Sequence, residues 1–437
     1  MLLDFAVTNF RCFADEAQLS FVRPSLKTNV PRAGQSWIEV TYRVAGIYGP
    51  NASGKSTLLD AVAALSKAVA RPGAPLYHPH LLSESGESQP TRYDVNFTRE
   101  GVRYHYQVVA HPWGIGQESL HSYPQGSRRH LFTRTQQHEG GEVVLKTGGG
   151  LSGPSAEVRK ITTSGDLYLA MAHRYEHKTL NPVAKGLANG PAIRLVSHKE
   201  ADRGARLRWV MSQMLEKPDR WEACVNAIVQ MADLGIRHVE VREEEVPQQI
   251  LDGARRALNL KAEDEVVELP EELLAQLRRS LVFTHAGRGG EAELGLAAQS
   301  QGTITWLSSM GPALDALWNG RLLLVDELDA SLHPSLTAAL IELFQSAEFN
   351  QTGAQLLFTS HDTSLLGNTP VRLLEPGEAW FTSKNEYGES ELYPLDAFDT
   401  RPGNNEQKRY LSGRFGALPR VDLSALRDGG PGDSWRA

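Results

Sequence analysis

The first residues alternate. LLDFAVTNF puts apolar and polar side chains on opposite faces, and AQLSFV repeats the period of two. Both predict strands of a hairpin or small sheet. YRVAGIYGP is a short apolar run ending in Gly-Pro, the pattern of a buried strand, and KSTLLDAVAALSKAVA follows with helical spacing. Strand, glycine loop and helix thus succeed one another. From Leu76 to about Leu145 the pattern is β-like. TRYDVNFTREGVRYHYQVVA holds two alternating runs around Arg-Glu-Gly, a hairpin signal, and HLFTR and GEVVLKT read as further short strands.

A Gly/Ser-rich break covers Gly148–Pro154, and Ser155 to about Asp233 reads mostly helical. RHVEVREEE is strand-like, and AEDEVVELPEELLAQLRRS predicts an acidic helix with a solvated face. From Leu281 the β/α rhythm returns, with LVFTHAG and ELGLAAQ as strands and RLLLVDELD as an apolar strand ending in acids. HPSLTAALIELFQSAEF is a helix, AQLLFTSHD another buried strand, and the tail GDSWRA is expected to fray. The pattern predicts an α/β fold in three segments: 1–150, 151–280 (mainly helical) and 281–437. No internal repeat is visible, and no heptad run lasts long enough for coiled-coil arms.

Composition changes this picture little. The 437 residues are 41% hydrophobic and 22% charged, ordinary for a globular protein with a large core. The two cysteines, Cys12 and Cys224, lack the CxxC or Cys/His company of a zinc or redox site and read as plain thiols in a reducing cytosol. A net charge of −7 excludes a basic nucleic-acid coat but not a local basic groove. The N-terminus MLLDFAVTNFRCF has no basic n-region or apolar h-region, and no run reaches the roughly 18 apolar residues of a membrane span. A cytoplasmic protein without a membrane partner is expected.

Three motifs carry chemistry. GPNASGKST, Gly49 to Thr57, matches G-x-x-x-x-G-K-[ST] between a predicted strand and a predicted helix. Gly49 and Gly54 let successive amides turn toward one point, so the loop through Asn51, Ala52 and Ser53 and the helix start at Thr57 can cradle phosphates. Lys55 neutralises phosphate charge, and the Ser56 hydroxyl suits Mg2+. In LLLVDELD the apolar run places Asp326 at the end of a buried strand, where it can hold Mg2+, and Glu327 can take a proton from an attacking water. LLFTSHD ends a buried strand on His361, suited to hydrogen-bond a γ-phosphate or that water. A fourth stretch, AAQSQGTITWLSS, is a polar turn opening a helix: Ser300 offers a hydroxyl, Gly302 close backbone approach, and Gln301 and Thr303 the first amides of a helix that favours an anion.

P-loop, long insertion, serine-glycine corner, Asp-Glu strand and strand-histidine follow the order of ABC-type ATPases, a class that includes SMC, RecF and OLD proteins. The corner departs from the usual Leu-Ser-Gly-Gly-Gln. More specifically, FAVTNFRCF, GIYGPNASGKSTLLDA, ADLGIRHVEV, SQGTITWL, LLLVDELDASLHP, QLLFTSHD and RYLSGRFGALP resemble the ABC-type AAA ATPases of bacterial and archaeal abortive-infection and phage-defence loci, relatives of the PARIS and Septu ATPase subunits. The resemblance implies an ABC/SMC-like P-loop NTPase head: a parallel core sheet, an N-terminal antiparallel β subdomain and an inserted helical lobe. It implies ATP and Mg2+ as cofactors and a head-to-head homodimer, or a higher oligomer, with ATP sandwiched between P-loop and the other subunit's Ser300–Thr303. Asp329, Ser331 and His333 would form the loop crossing that interface, and Arg11 would lie near the nucleotide. Gln107 is a candidate for the glutamine that lines Mg2+ in ABC relatives.

The function expected first is the sensor and switch subunit of an anti-phage system. After the last strand too few residues remain for a nuclease domain, so a separate effector, such as a nuclease or toxin, is expected. The alternative is a RecF/SMC-like ATPase acting on DNA ends or repair, with nucleic acid as partner. A transporter motor fits least, given the leading strands, the long insertion and LHP after the acids.

Overall fold

The computed structural model describes residues 1–83, 86–188, 193–196, 200–257, 269–368, 371–401 and 403–419. The tail GDSWRA, expected to fray, and the first part of the acidic stretch lie outside these residues. The described chain forms two compact units, one from residues 2–188 with 357–419, the other from 193–356. The three segments read from the sequence divide the chain differently.

The first unit opens on β1 (Leu2–Thr8) and β2 (Ala17–Ser20), then β3 (Val44–Tyr48) and α1 (Lys55–Ala70). β4 (Thr91–Arg99), β5 (Val102–His111), β6 (Gly114–Tyr123), β7 (Arg129–Thr135) and β8 (Val144–Thr147) follow. Seven of these strands make one sheet in the order β2-β1-β4-β5-β6-β7-β8. The Arg-Glu-Gly signal is a two-residue turn: Glu100 and Gly101 are both left-handed, at φ 51° and 78°, and Arg99 pairs with Val102. Such a turn matches the twist of the flanking strands. β6 carries no strand signal of its own, because GIGQESLHSY mixes glycine and polar residues without clean alternation.

One face of this sheet is apolar, through Phe5, Tyr93, Val95, Tyr106, Leu120 and Phe132. Three short helices follow, α2 (Ser155–Ile161), α3 (Tyr168–Arg174) and α4 (Leu180–Ala184). α3 belongs to this unit for two physical reasons. The Phe132 and Tyr168 rings meet edge to face at 4.9 Å. The buried Glu118 carboxylate accepts from the first amides of the helix, Tyr168 N at 2.6 Å and Leu169 N at 2.9 Å, and from the Tyr106 hydroxyl at 2.7 Å. A negative group is favoured at that helix end.

The second unit begins at β9 (Ile193–Val196) and continues through α5 (Glu200–Glu216), α6 (Pro218–Ala232), β10 (Ile236–Glu243), α7 (Gln248–Ala257) and α8 (Glu271–Arg278). β11 (Arg279–Gly287) and β12 (Gly290–Gly295) complete a three-stranded antiparallel sheet with β10. The expected strand ELGLAAQ is thus half strand, and its end is a 3-10 turn at Leu296–Ala298. α9 (Gln301–Asn319) leads to β13 (Leu322–Val325), which pairs parallel with β9, and then to α10 (Pro334–Gln345). Val210, Trp221, Val225, Val229, Val239, Phe283 and Leu307 form one apolar core, so the segment before 280 and the segment after it share it.

α9 carries two close fits. At Gly311 a side chain would start 2.3 Å from Val210 Cγ2, so glycine is what lets α5 approach there. Pro312 lies inside the helix and has no N–H for the Ser308 carbonyl one turn earlier. Arg206 Nε on α5 donates to that carbonyl instead, at 3.1 Å.

The chain returns to the first unit within β14 (Gln355–Thr359), followed by β15 (Ala379–Lys384), β16 (Ser390–Pro394) and α11 (Glu406–Leu411). β15 lies parallel beside β3 and antiparallel to β16. Among the described residues no helix is long and apolar enough to cross a membrane.

Candidate nucleotide site

β3 is buried along its whole length and delivers the chain to the glycine loop. Gly49, Ala52 and Gly54 take positive φ values of 152°, 61° and 105°. Left-handed residues in a short loop help turn backbone amides toward one point, a concavity that suits an anion. Two of these positions also exclude a side chain. A Cβ on Gly49 would start 2.4 Å from the Thr382 carbonyl oxygen, and one on Gly54 would start 2.9 Å from Cys12 Sγ. The loop is cross-braced: Ser53 Oγ donates to the Pro50 carbonyl at 2.8 Å and meets Thr382 Oγ1 at 2.6 Å. α1 starts at Lys55, whose buried ammonium folds back and donates to the Gly49 and Pro50 carbonyls, both at 2.9 Å. Ser56 and Thr57 occupy the first turn of the helix, Ser56 exposed and Thr57 half-buried.

A cavity of about 570 Å³ opens beside the loop. Gly49, Pro50 and Asn51 line it together with Ser360 and His361 at the end of β14. The backbone holds these two strand ends together, because Ser360 N donates to the Ile47 carbonyl at 3.1 Å. His361 and the start of the phosphate loop thus line one cavity. Tyr410, Leu411, Leu418 and Pro419 also line it.

Arg11 lies against the same helix. Its guanidinium pairs with Asp60 on α1 at 2.5 Å, both half-exposed. The NFRCF corner is built by Asn9, left-handed at φ 53°, whose side chain donates to the Gly86 and Gln89 carbonyls and accepts from His80 N. That corner sets Cys12 behind Gly54, and the Cys12 carbonyl accepts from Ser390 N at 2.8 Å. Cys12, Thr382 and Ser390 support the loop without any local signal in the sequence.

Gln107 lies on β5 in the antiparallel sheet. Its amide donates to Asp94 Oδ2 at 2.6 Å, and it is not among the residues lining the cavity.

The second unit carries the other motifs. β13 is fully buried and ends at Asp326, which is half-buried, and Glu327, which is exposed. Glu327 and Ser331 are both left-handed, at φ 53° and 63°. Non-glycine residues hold that conformation only where their surroundings impose it, and such residues cluster at functional sites. Asp329 sits between them, its carbonyl accepting from Leu332 N, and His333 caps α10 by accepting from Ser335 N. Ser300 caps α9, its Oγ accepting from Thr303 N at 3.0 Å, and Gln301 and Gly302 follow in the first turn. Gly302 lies under the Ser331 carbonyl, with 3.6 Å left for a Cβ. The serine-glycine corner and the loop after the acids are thus neighbours within one chain. Among the described residues no cluster of three or more His, Cys, Asp or Glu side chains is spaced to hold a metal.

A strand-loop-helix anion cradle in a mixed α/β fold defines a P-loop nucleotide-binding class. The chain belongs to the family described as "AAA domain, putative AbiEii toxin, Type IV TA system", whose model matches residues 44–173 and 208–367. Every candidate site residue except Arg11 falls within that match. Among solved structures, the SMC head domain from Thermotoga maritima is similar at 12% identity, with a TM-score of 0.44, over 90% of this chain and 98% of that chain. No curated protein matches the chain.

Proposed function

We propose that the chain is an ABC-type, Mg2+-dependent ATPase that closes head to head with a second copy, and that it acts as the sensor and switch subunit of a prokaryotic anti-phage system with a separate effector. The observation that carries the ATPase reading is the loop from Gly49 to Ser56, with three left-handed residues, cross-braced and ending in a buried lysine at a helix start. The family's description as a putative toxin of a toxin–antitoxin system supports the defence role.

Each side chain then has a task. The loop amides bind the phosphates, and Lys55 moves from the Gly49 and Pro50 carbonyls to phosphate oxygens. Ser56 and Asp326 are hard oxygen donors of the kind Mg2+ prefers, and the ion supplies charge neutralisation across the phosphates. Glu327 accepts the proton of the attacking water, and His361 holds the γ-phosphate or that water. Ser300 to Thr303 face the nucleotide of the second copy, with Asp329, Ser331 and His333 at the interface.

Glu327→Gln tests this reading. It removes the proton acceptor and keeps the size of the side chain. The expected result is hydrolysis slowed by about 10²–10⁴-fold and a dimer that persists in ATP, measured by phosphate release and light scattering. Turnover at the wild-type rate would remove Glu327 from the mechanism. Lys55→Ala, which should abolish nucleotide binding, is the control. Strong stimulation by DNA with a steep salt dependence would favour the DNA-handling alternative instead.

A further inference from the structure

The C-terminal motif RYLSGRFGALP has a clear packing role, and it is placed where it can do more. Phe415 is its anchor. The ring stacks on Phe381 at 5.1 Å, meets Phe398 edge to face at 5.0 Å, and lies under the Arg409 guanidinium at 5.1 Å. The Phe415 carbonyl accepts from the Tyr393 hydroxyl at 2.6 Å, and the Ala417 carbonyl accepts from the Tyr410 hydroxyl at 2.7 Å. Gly413 and Gly416 are left-handed, at φ 82° and 74°, which lets the segment fold tightly round the ring.

This anchored segment is bonded to the loop that follows His361. Gln407 Nε2 donates to Thr363 Oγ1 at 3.3 Å, and Asn405 Nδ2 donates to Asn368 Oδ1 at 3.1 Å. Glu406 is buried and bridges two arginines, Arg372 at 3.3 Å and Arg409 at 2.9 Å. Tyr410 and Leu418 then line the same cavity as Gly49 and His361. Phosphate-loop backbone, a histidine and aromatic and aliphatic side chains of the segment thus share one cavity.

We propose that the segment from Asn405 to Pro419 is a working wall of the nucleotide compartment: it fixes the position of the His361 loop, and Leu418 keeps bulk solvent, as distinct from the one attacking water, out of the cavity. Exclusion of bulk solvent strengthens each polar contact that the phosphate and the attacking water make. The proposal rests on the ATPase reading above. The family match ends at residue 367, so the segment's role is argued from its contacts alone.

Two measurements test it on the full chain. The first is hydrogen exchange of the wild-type protein with and without Mg2+ and a non-hydrolysable ATP analogue. Amides of 49–57 and of 410–419 should both slow. Slowing at the loop with none at 410–419 overturns this proposal and leaves the ATPase reading standing; no change at either overturns both. The second is Leu418→Asn, which should lower kcat about tenfold while analogue affinity stays within about twofold, with Leu418→Met restoring turnover. An unchanged kcat for Leu418→Asn, or a Leu418→Met variant no better than it, overturns the proposal.

Discussion

Gly54 shows how much of a site one position can hold. Its spacing from Gly49 and Lys55 was legible in the sequence, because the phosphate loop needs glycine for conformation. Its second constraint was not: Cys12 Sγ occupies the place where a side chain would begin. That contact joins residues 42 positions apart in the chain, and no period or motif encodes it. Thr382 behind Gly49 is the same case. His121 is a residue of the other kind, with no motif at all. It sits in a cross-strand row with His105 and His130, and its Nε2 meets Arg128 Nη2 at 3.0 Å. Burial, then Arg128, His130 and His105, push its pKa from the ordinary 6.5 down to about 4. Unfolded, His121 takes a proton as pH falls through 6.5; folded, it resists until about 4. Its contribution is therefore complete above 6.5 and lost as pH falls toward 4. His121→Gln should flatten the stability curve across that window in urea titrations at a series of pH values; an unchanged slope would show that the row carries no linkage.

At the scale of elements, α9 joins a legible feature to an illegible one. Its start was readable, because Ser-Gln-Gly-Thr is a capping pattern, and the structure has Ser300 Oγ accepting from Thr303 N. The cap complicates any test of the corner, since Ser300→Ala alone should cost about 1 kcal/mol of stability. Ser300→Asp separates the two roles. Aspartate caps as well as serine but sets a negative charge against a phosphate. It should keep the melting temperature and ATP binding while losing ATP-dependent dimerisation and hydrolysis. Retained hydrolysis would leave the corner as a helix cap only. The middle of α9 was not readable: Pro312 in a helical pattern suggests a break, and the helix continues because Arg206 takes up the Ser308 carbonyl. Arg206→Leu should cost about 1–2 kcal/mol in denaturant unfolding. In a Pro312→Ala background, where the helix supplies its own N–H, the same change should cost less; equal costs in the two backgrounds would refute the link. β15 and β16 are illegible for a related reason, since AWFTSK and SELYP are too short to separate from loop by pattern.

For the whole molecule, the α/β class and the order of motifs were legible, and the division of the chain was not. Reading along the sequence gave three consecutive segments. The chain instead leaves its first unit near residue 190 and returns to it within β14. Composition has no sharp step at either crossing, because both lie in ordinary α/β sequence. What assigns α3 is Glu118 and Phe132, and what assigns α9 is its share of the core with α5 and α6. The motif set is divided accordingly, with the phosphate loop and His361 in one unit and the acids and Ser300 in the other.

The two thiols follow the same division. Cys12, behind Gly54, belongs to the unit with the phosphate loop, and Cys224, on α6, belongs to the other; both are free and partly exposed. The natural chain therefore has one labelling handle per unit and no others. A donor and an acceptor dye on these two sulfurs would make the unmodified sequence a single-molecule ruler. Its transfer efficiency, read with and without ATP, would report any change in the distance between the unit with the glycine loop and the unit with the acids.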